Sequence, residues 1–280
     1  GQPLPFPDPG AVTADVDWQD EIFGSAPIQS YQLSASGGTD RITYYFSGNL
    51  IRQEGIIDRS EFDRLTLRLN NEYQLTDAFS LGHNLSFSYT DKRDPPGVLS
   101  ALYRADPTIP ARNPDGSFAD MNVRSSAGNP AAVIEFTNND REERRLVGNL
   151  FADVSFLNNF SFRSSFGLDY QDGDFRNFVP VYFVSAVQQN PESDLRVEFR
   201  NHNSWLWENT LNYNWANQNH RVNALAGITA QSFFFEEIGG TRINIAGEDP
   251  SLWFLNAGDA AGQTNFNRAE DWRMLSYLFR

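Results

Sequence analysis

The sequence predicts an all-β fold, an antiparallel up-and-down meander of about nine long strands that forms part of a transmembrane barrel. Three observations support this prediction. Polar and apolar residues alternate through most of the chain, which is the period of a strand with two unlike faces. Several alternating runs reach the ~9–11 residues that a tilted strand needs to cross the hydrocarbon. The connections between the runs are alternately short and long.

The composition excludes several classes of protein. The chain has 280 residues, a formal net charge of −14 and no cysteine, so it contains no disulfide and no thiolate metal site. The acidic charge argues against nucleic-acid binding, which needs a basic surface to neutralise phosphates. No stretch approaches the ~20 apolar residues of a membrane helix, so a helical membrane protein is excluded.

The first four strands follow one another closely. The third is the clearest, because Leu67 and Leu69 point to one face whereas Arg68 points to the other. We expect these strands at 28–37, 41–54, 61–75 and 79–90.

The second half contains longer connections. An irregular segment at 91–140 includes two expected short helices, near 97–105 and 130–136. We expect further loops at 173–194 and 237–268. The remaining strands are expected at 141–156, 160–172, 195–215, 221–236 and 269–280.

The connection lengths alternate along the chain. The tight turns lie at Gly38, Asp77, Asn158 and Gln218, and the longer connections follow Glu54, Thr90, Asp172 and Glu236. In an outer-membrane barrel, short turns lie on the periplasmic side and long loops lie outside. The first strand should therefore run from outside inward, with at least one strand preceding it. Both termini are expected to be cut ends, and the stretch Gly1–Gly10 is expected to be a loop.

Aromatic residues cluster towards the ends of the fourth, sixth and seventh strands. They are Tyr89, Phe160, Phe162, Tyr170, Trp205, Trp207, Tyr213 and Trp215. Such rings are typical of the girdle at a membrane interface, although they could instead fill the core of a β-sandwich.

The sequence offers no enzyme site, and we predict no catalytic residue, no cofactor and no metal. His83, His202 and His220 lack metal-ligand spacing. The carboxylates of Asp169, Asp172 and Asp174 could suggest a calcium loop, but a solvated loop tip explains them more simply. Paired acids that flank long loops are expected to hydrate strand ends, namely Glu142–Glu143 and Glu236–Glu237.

Two features suggest binding. The polar face of the strands, which would line a lumen, carries Arg64, Arg68, Asn70, Arg163, Asp169, Glu208, Asn212 and Asn214. The expected loops carry Tyr103, Phe118, Phe178, Tyr182, Phe183, Trp253 and Phe254. These aromatics either stack on a sugar or a partner, or pack the loops against one another. The residues that would contact a solute stay unassigned.

Five segments within roughly the first ninety residues resemble the SusC/RagA group of TonB-dependent outer-membrane transporters. They are 17–23 (DWQDEIF), 26–29 (APIQ), 31–38 (YQLSASGG), 53–57 (QEGII) and 62–70 (FDRLTLRLN), in the order and spacing of that group. The resemblance implies a bacterial outer-membrane barrel of about 22 strands with an N-terminal plug. It implies energy from the TonB complex, a SusD-like surface lipoprotein as partner, and a glycan or peptide as substrate.

In that group, the DWQDEIF stretch lies in the outer loop after the first barrel strand. We therefore expect residues 1–27 to be an extracellular loop and residues 28–280 to be a partial barrel, with the signal peptide, the plug and the TonB-binding region elsewhere. Two alternatives stay open at this point. One is a passive porin-like or adhesin barrel, and the other is a soluble carbohydrate-binding β-sandwich.

Overall fold

The computed structural model describes residue 12 and residues 14–123 and 127–280. The stretch Gly1–Gly10, expected to be a loop, lies outside the described residues. Nine strands form one antiparallel sheet in chain order, which confirms the predicted meander. They are β1 (Ile28–Gly38), β2 (Ile42–Glu54), β3 (Glu61–Thr76), β4 (Phe79–Arg93), β5 (Asn138–Phe156), β6 (Phe160–Val179), β9 (Asp194–Ala216), β10 (Arg221–Ile243) and β11 (Asp259–Phe279); a separate hairpin, β7 (Tyr182–Ser185) and β8 (Gln188–Asn190), lies between β6 and β9.

The helices are short and lie in the connections. They are α1 (Trp18–Ile22), α2 (Leu99–Leu102) and α3 (Pro130–Glu135), with 3-10 turns at Met121–Val123, Pro250–Leu252 and Leu255–Ala257. Both helices expected between β4 and β5 are present, whereas α1 was not expected. Among the described residues, no helix has the length and apolar character needed to cross a membrane.

Three strand ends extend furthest beyond the sequence prediction, by seven residues or more, whereas β4 and β5 each extend by three into the expected loop at 91–140. The expected loop at 173–194 is wrong in its first part, because β6 continues to Val179. The expected loop at 237–268 is wrong at both ends, because β10 continues to Ile243 and β11 begins at Asp259. In these extensions neither face is consistently apolar, so the alternation that marks a strand in sequence is lost there.

One face of the sheet carries a largely apolar band, interrupted by Asn71, His83, Ser164, Asn209 and Ser232. The register places Leu67 between Gly48 and Phe87, and Leu69 between Phe46 and Leu85. The band covers residues 65–73 of β3, 81–89 of β4, 146–156 of β5, 160–170 of β6, 205–213 of β9 and 224–234 of β10. These lengths match the ~9–11 residues of a membrane-spanning strand.

The band ends sharply on the side of the long loops. On the same face, the next residue towards these loops is charged on five of the six strands: Asp63, Asp91, Arg144, Asp172 and Glu236. All eight predicted girdle aromatics lie on this face. Tyr89 and Tyr170 stand at the charged edge, and Phe160 and Tyr213 meet near the turns with ring centroids 4.8 Å apart.

The tight turns step steadily along the register. From the β1–β2 turn to the β9–β10 turn, the last paired residues shift by about eight residues across about six inter-strand steps. At ~3.3 Å per residue along a strand and ~4.8 Å between strands, the turns lie at one height only if the strands are inclined to the barrel axis. The inclination that this shift requires is about 40°. This is the tilt of a barrel wall, ~35–45°.

Candidate functional site

The face opposite the apolar band is polar, as the alternation predicts. Arg68 lies between Ser47 and Ser86, and Asp169 lies between Val147 and Ser204. The register places all eight predicted residues on this face: Arg64, Arg68, Asn70, Arg163, Asp169, Glu208, Asn212 and Asn214.

Ion pairs fasten β5 to β6 across the polar face. Arg145 forms a bidentate ion pair with Asp169, in which Nε and Nη2 donate to the two carboxylate oxygens at 2.9 and 2.6 Å. Nearer the turn, Arg163 Nη1 lies 3.2 Å from Asp153 Oδ2. Planar guanidinium–carboxylate pairs of this kind fix side-chain orientation as well as charge.

A longer chain of ion pairs lies on the same face, beyond the level of the band. It runs Arg196–Glu198–Arg200–Glu237–Arg268, and we call it the arginine–glutamate ladder. Arg200 Nη2 is 2.9 Å from Glu198, Arg200 Nε is 2.7 Å from Glu237, and Arg268 Nε is 2.6 Å from Glu237. The ladder joins β9, β10 and β11 through two glutamates whose side chains are 4% and 6% exposed.

Glu237 corrects a prediction from sequence. Expected to keep a strand end hydrated, it is instead buried between two guanidinium groups. Desolvation raises its pKa, but hydrogen bonds and charge from Arg200 and Arg268 outweigh that effect, and the pKa of Glu237 is lowered. Its neighbour Glu236 faces the other way and accepts a hydrogen bond from Asn267 at 3.0 Å.

A cavity of about 250 Å³ opens between β5, β6, β9 and β10. We call it the polar-face cavity, because it is lined from that face by Glu143, Gln171, Phe175, Arg200, His202 and Phe235. Sequence analysis missed it, since the residues come from four strands and no local motif joins them. Phe175 lies in the part of β6 that was expected to be a loop.

The outer connections fold onto one another around a small apolar core. It brings α1 together with the β4–β5 loop, and Trp18 Nε1 donates to the carbonyl of Asp106 at 3.0 Å. Its buried members are Trp18, Ile22, Val98, Leu102, Ala111, Met121 and Ile134. The DWQDEIF segment is thus an anchor for the loops.

Buried Asn129 links the β4–β5 loop to the β7–β8 hairpin. Its side-chain amide donates to the carbonyls of Ala111 and Ala119 at 2.8 and 3.0 Å, and its carbonyl oxygen caps α3. Its backbone N–H donates to Gln188 Oε1 at 2.7 Å, and Gln188 Nε2 donates back at 3.1 Å. The Asn-Pro pair predicts a helix start, but nothing local predicts Gln188 as its partner.

Of the seven aromatics expected in loops, four pack within the protein and three are exposed. Phe178 and Trp253 are buried and stack with centroids 4.7 Å apart. Phe118 and Tyr182 both contact Phe136, at 5.5 and 4.2 Å. The exposed ones are Tyr103, Phe183 and Phe254. Only these three are available to a partner or solute.

The carboxylates considered for calcium do not converge. They lie on strand β6 and not on a loop tip, so the sequence interpretation is wrong on their setting. Asp169 faces Arg145 on the polar face, whereas Asp172 and Asp174 face the other way and pair with Arg144 and Arg176. Within the described ranges, no three His, Asp or Glu residues are grouped to hold a metal ion.

The histidines are separated in the structure. His83 contacts Asn71 at 3.2 Å, His202 packs on Phe233 at 5.0 Å, and His220 lies in the β9–β10 turn. Only His202 lines the polar-face cavity.

No protein-family model matches the chain. Over its whole length it is 26% identical to TonB-dependent receptor P26 of Formosa agariphila. It is 28% identical over 78% of its length to TonB-dependent receptor P3 of the same organism, and 26% identical over 61% to TonB-dependent receptor SusC of Bacteroides thetaiotaomicron. The chain spans 29%, 23% and 20% of the lengths of these relatives.

The fold matches solved structures of the RagAB peptide transporter. One gives a TM-score of 0.79 at 20% sequence identity, covering 95% of this chain and 31% of that chain. The importer in its open-open state gives a TM-score of 0.78 and covers 94% of this chain and 30% of that chain. The sheet therefore has the fold of a stretch of barrel wall, with the apolar band towards lipid and the polar face towards the lumen.

Proposed function

We propose that this chain is part of a SusC/RagA-type TonB-dependent outer-membrane receptor, and that the protein actively imports a hydrophilic nutrient, a glycan or a peptide. The chain lies in the bacterial outer membrane and supplies part of the barrel wall and its outer loops.

One observation carries the proposal: a lipid-facing apolar band backed by a charged, lumen-facing wall. The band accounts for the membrane location, and the wall gives a hydrophilic solute polar partners during passage. The same face holds the polar-face cavity, which lies beyond the level of the band and so towards the cell exterior. Strands β9, β10 and β11 extend above the membrane and enlarge this outer part of the lumen.

We propose the domain division that the sequence suggested: residues 1–27 form an outer loop and residues 28–280 form barrel wall. The packing of α1 against the β4–β5 loop supports an extracellular position for the first segment, because both then lie on the long-loop side.

The proposed partners are a SusD-like surface lipoprotein and the TonB complex. Exposed Tyr103, Phe183 and Phe254 on the outer connections suit a protein partner or cargo that arrives from outside. Coupling to TonB would be made by a part of the receptor outside residues 1–280.

The test is uptake by cells that carry the full-length gene or its deletion. Labelled short peptides and maltooligosaccharides serve as probes, with and without a protonophore. We expect uptake of one class that is lost on deletion and on uncoupling. Uptake that depends on the gene but survives the protonophore and loss of TonB would contradict active import and would favour a passive porin.

A further inference from the structure

The arginines around the polar-face cavity are already neutralised. Arg200 is bound by Glu198 and Glu237. Arg141, which also lines the cavity, donates to Asp94 at 3.3 Å and stacks over the ring of Phe175 at 4.8 Å. Both arginines are thus paired with carboxylates of the protein, which reduces their attraction for an anion.

The groups that stay open in the cavity are one carboxylate, that of Glu143, and two side chains that can both donate and accept, those of Gln171 and His202. The side chain of Glu143 is half-buried and, among the described residues, makes no hydrogen bond and no direct ion pair, although its charge interacts with that of Arg145 on the same strand face. That arginine, the nearest one along the same face of the strand, forms a bidentate ion pair with Asp169. Gln171 and His202 also keep their polar atoms free of hydrogen bonds within the part of the chain that the structure describes.

We propose that the polar-face cavity binds the cationic group of a peptide, a primary ammonium or a guanidinium, with Glu143 as its counter-ion. This inference rests on the proposed import function and narrows its cargo. An ionised carboxylate is an acceptor only, so it pairs with the N–H donors of a cation. The rings of Phe175 and Phe235 line the same cavity, but Arg141 and Arg268 already lie over them at 4.8 and 5.6 Å, so the attraction for the cation comes from the carboxylate.

The size and charge of the cavity favour a basic side chain over the other cargo classes. About 250 Å³ is below the ~300–1,000 Å³ of a drug-sized ligand pocket, so it accommodates one side chain or one sugar unit. A neutral sugar would bring no cation to a lining that carries four carboxylates and two arginines. An anionic group would face Glu143 and Glu198 with no free arginine to offset them.

Binding to the detergent-purified full-length receptor tests the assignment. The probes are acetyl-Ala-Lys-Ala-amide, acetyl-Ala-Gln-Ala-amide and maltotriose, measured by calorimetry at low and high salt. We expect the lysine peptide to bind more tightly than both neutral probes, with an affinity that falls as salt rises. Glu143→Gln, which keeps the shape and removes the charge, should weaken lysine-peptide binding about tenfold and leave the glutamine peptide unchanged.

Glu72→Gln is the matched control, because Glu72 is an exposed carboxylate on the same face, near the tight turns, that does not line the cavity. It should bind all three probes as the native receptor does. Equal binding of the two peptides, preference for maltotriose, or an unchanged lysine affinity in Glu143→Gln overturns the cation site. Binding in detergent does not require TonB, so a failed binding test would count against the cation site and not against active import. Active import is tested separately, by whether uptake depends on energy.

Discussion

Substituting arginine for Leu69 should destabilise the barrel far more than changing the adjacent Arg68 to leucine. Leu69 is midway along the apolar band of β3, is 40% exposed on the lipid face and pairs with Phe46 and Leu85. A charge on the lipid face near the bilayer midplane costs ~2–4 kcal/mol. This shifts the folding equilibrium by about 30- to 700-fold, at 1.4 kcal/mol per factor of ten. Leu67→Arg, closer to the charged edge, should cost less.

The measurement is urea unfolding of the full-length receptor in lipid vesicles, followed by tryptophan fluorescence. Arg68 lies on the lumen-facing side and, among the described residues, has no ion-pair partner, so Arg68→Leu should change stability by less than ~0.5 kcal/mol. Equal losses in Leu69→Arg and Arg68→Leu, or a larger loss in Arg68→Leu, would refute the assignment of the two faces.

Three further outcomes are expected. Gln188→Ala should release the β4–β5 loop from the β7–β8 hairpin, since the buried backbone N–H and carbonyl of Asn129 lose their partners at ~1–3 kcal/mol, and amide hydrogen exchange should rise in both. The pKa of Glu237 lies below its ordinary value of 4.5, so the stability that its charge contributes is complete above pH 4.5 and is lost as the pH falls below that value. A pH titration of thermal stability should show this loss in the native receptor and not in Glu237→Gln. Gly148→Ala should impair assembly, because a Cβ there would lie 2.3 Å from a backbone oxygen. Gly48→Ala is the control, because its Cβ would make only an ordinary contact at 3.5 Å. Similar yields of folded protein from both variants would contradict the close approach of the strands at Gly148.

The membrane-spanning part of the fold could be predicted because lipid imposes a pattern on sequence. Within the band, Leu67 faces lipid and Arg68 faces the lumen, so alternation marks both the strand and its register. Beyond the band this constraint disappears. Asp172, Gly173 and Asp174 on β6 read as a loop, although their backbone continues the ladder with β5 and β9.

The candidate site was less accessible to sequence reasoning. The polar face itself follows from alternation, but the polar-face cavity depends on Glu143, Gln171 and His202, which come from three strands. From sequence, Glu237 is predicted to be a solvated acid, because its partner Arg268 lies on β11 and is far away in the chain. These contacts are set by pairing between distant strands, and no local pattern encodes them.

The two-faced barrel wall is tested most directly by spin labels on single cysteines at each position from 65 to 70 of β3. The chain has no cysteine of its own, so each label reports one site once any cysteine outside this chain has been replaced. With the full-length receptor in lipid vesicles, labels at odd positions should collide mainly with lipid-soluble oxygen, and those at even positions mainly with a water-soluble nickel complex. Loss of this alternation, or the opposite phase, would contradict the account.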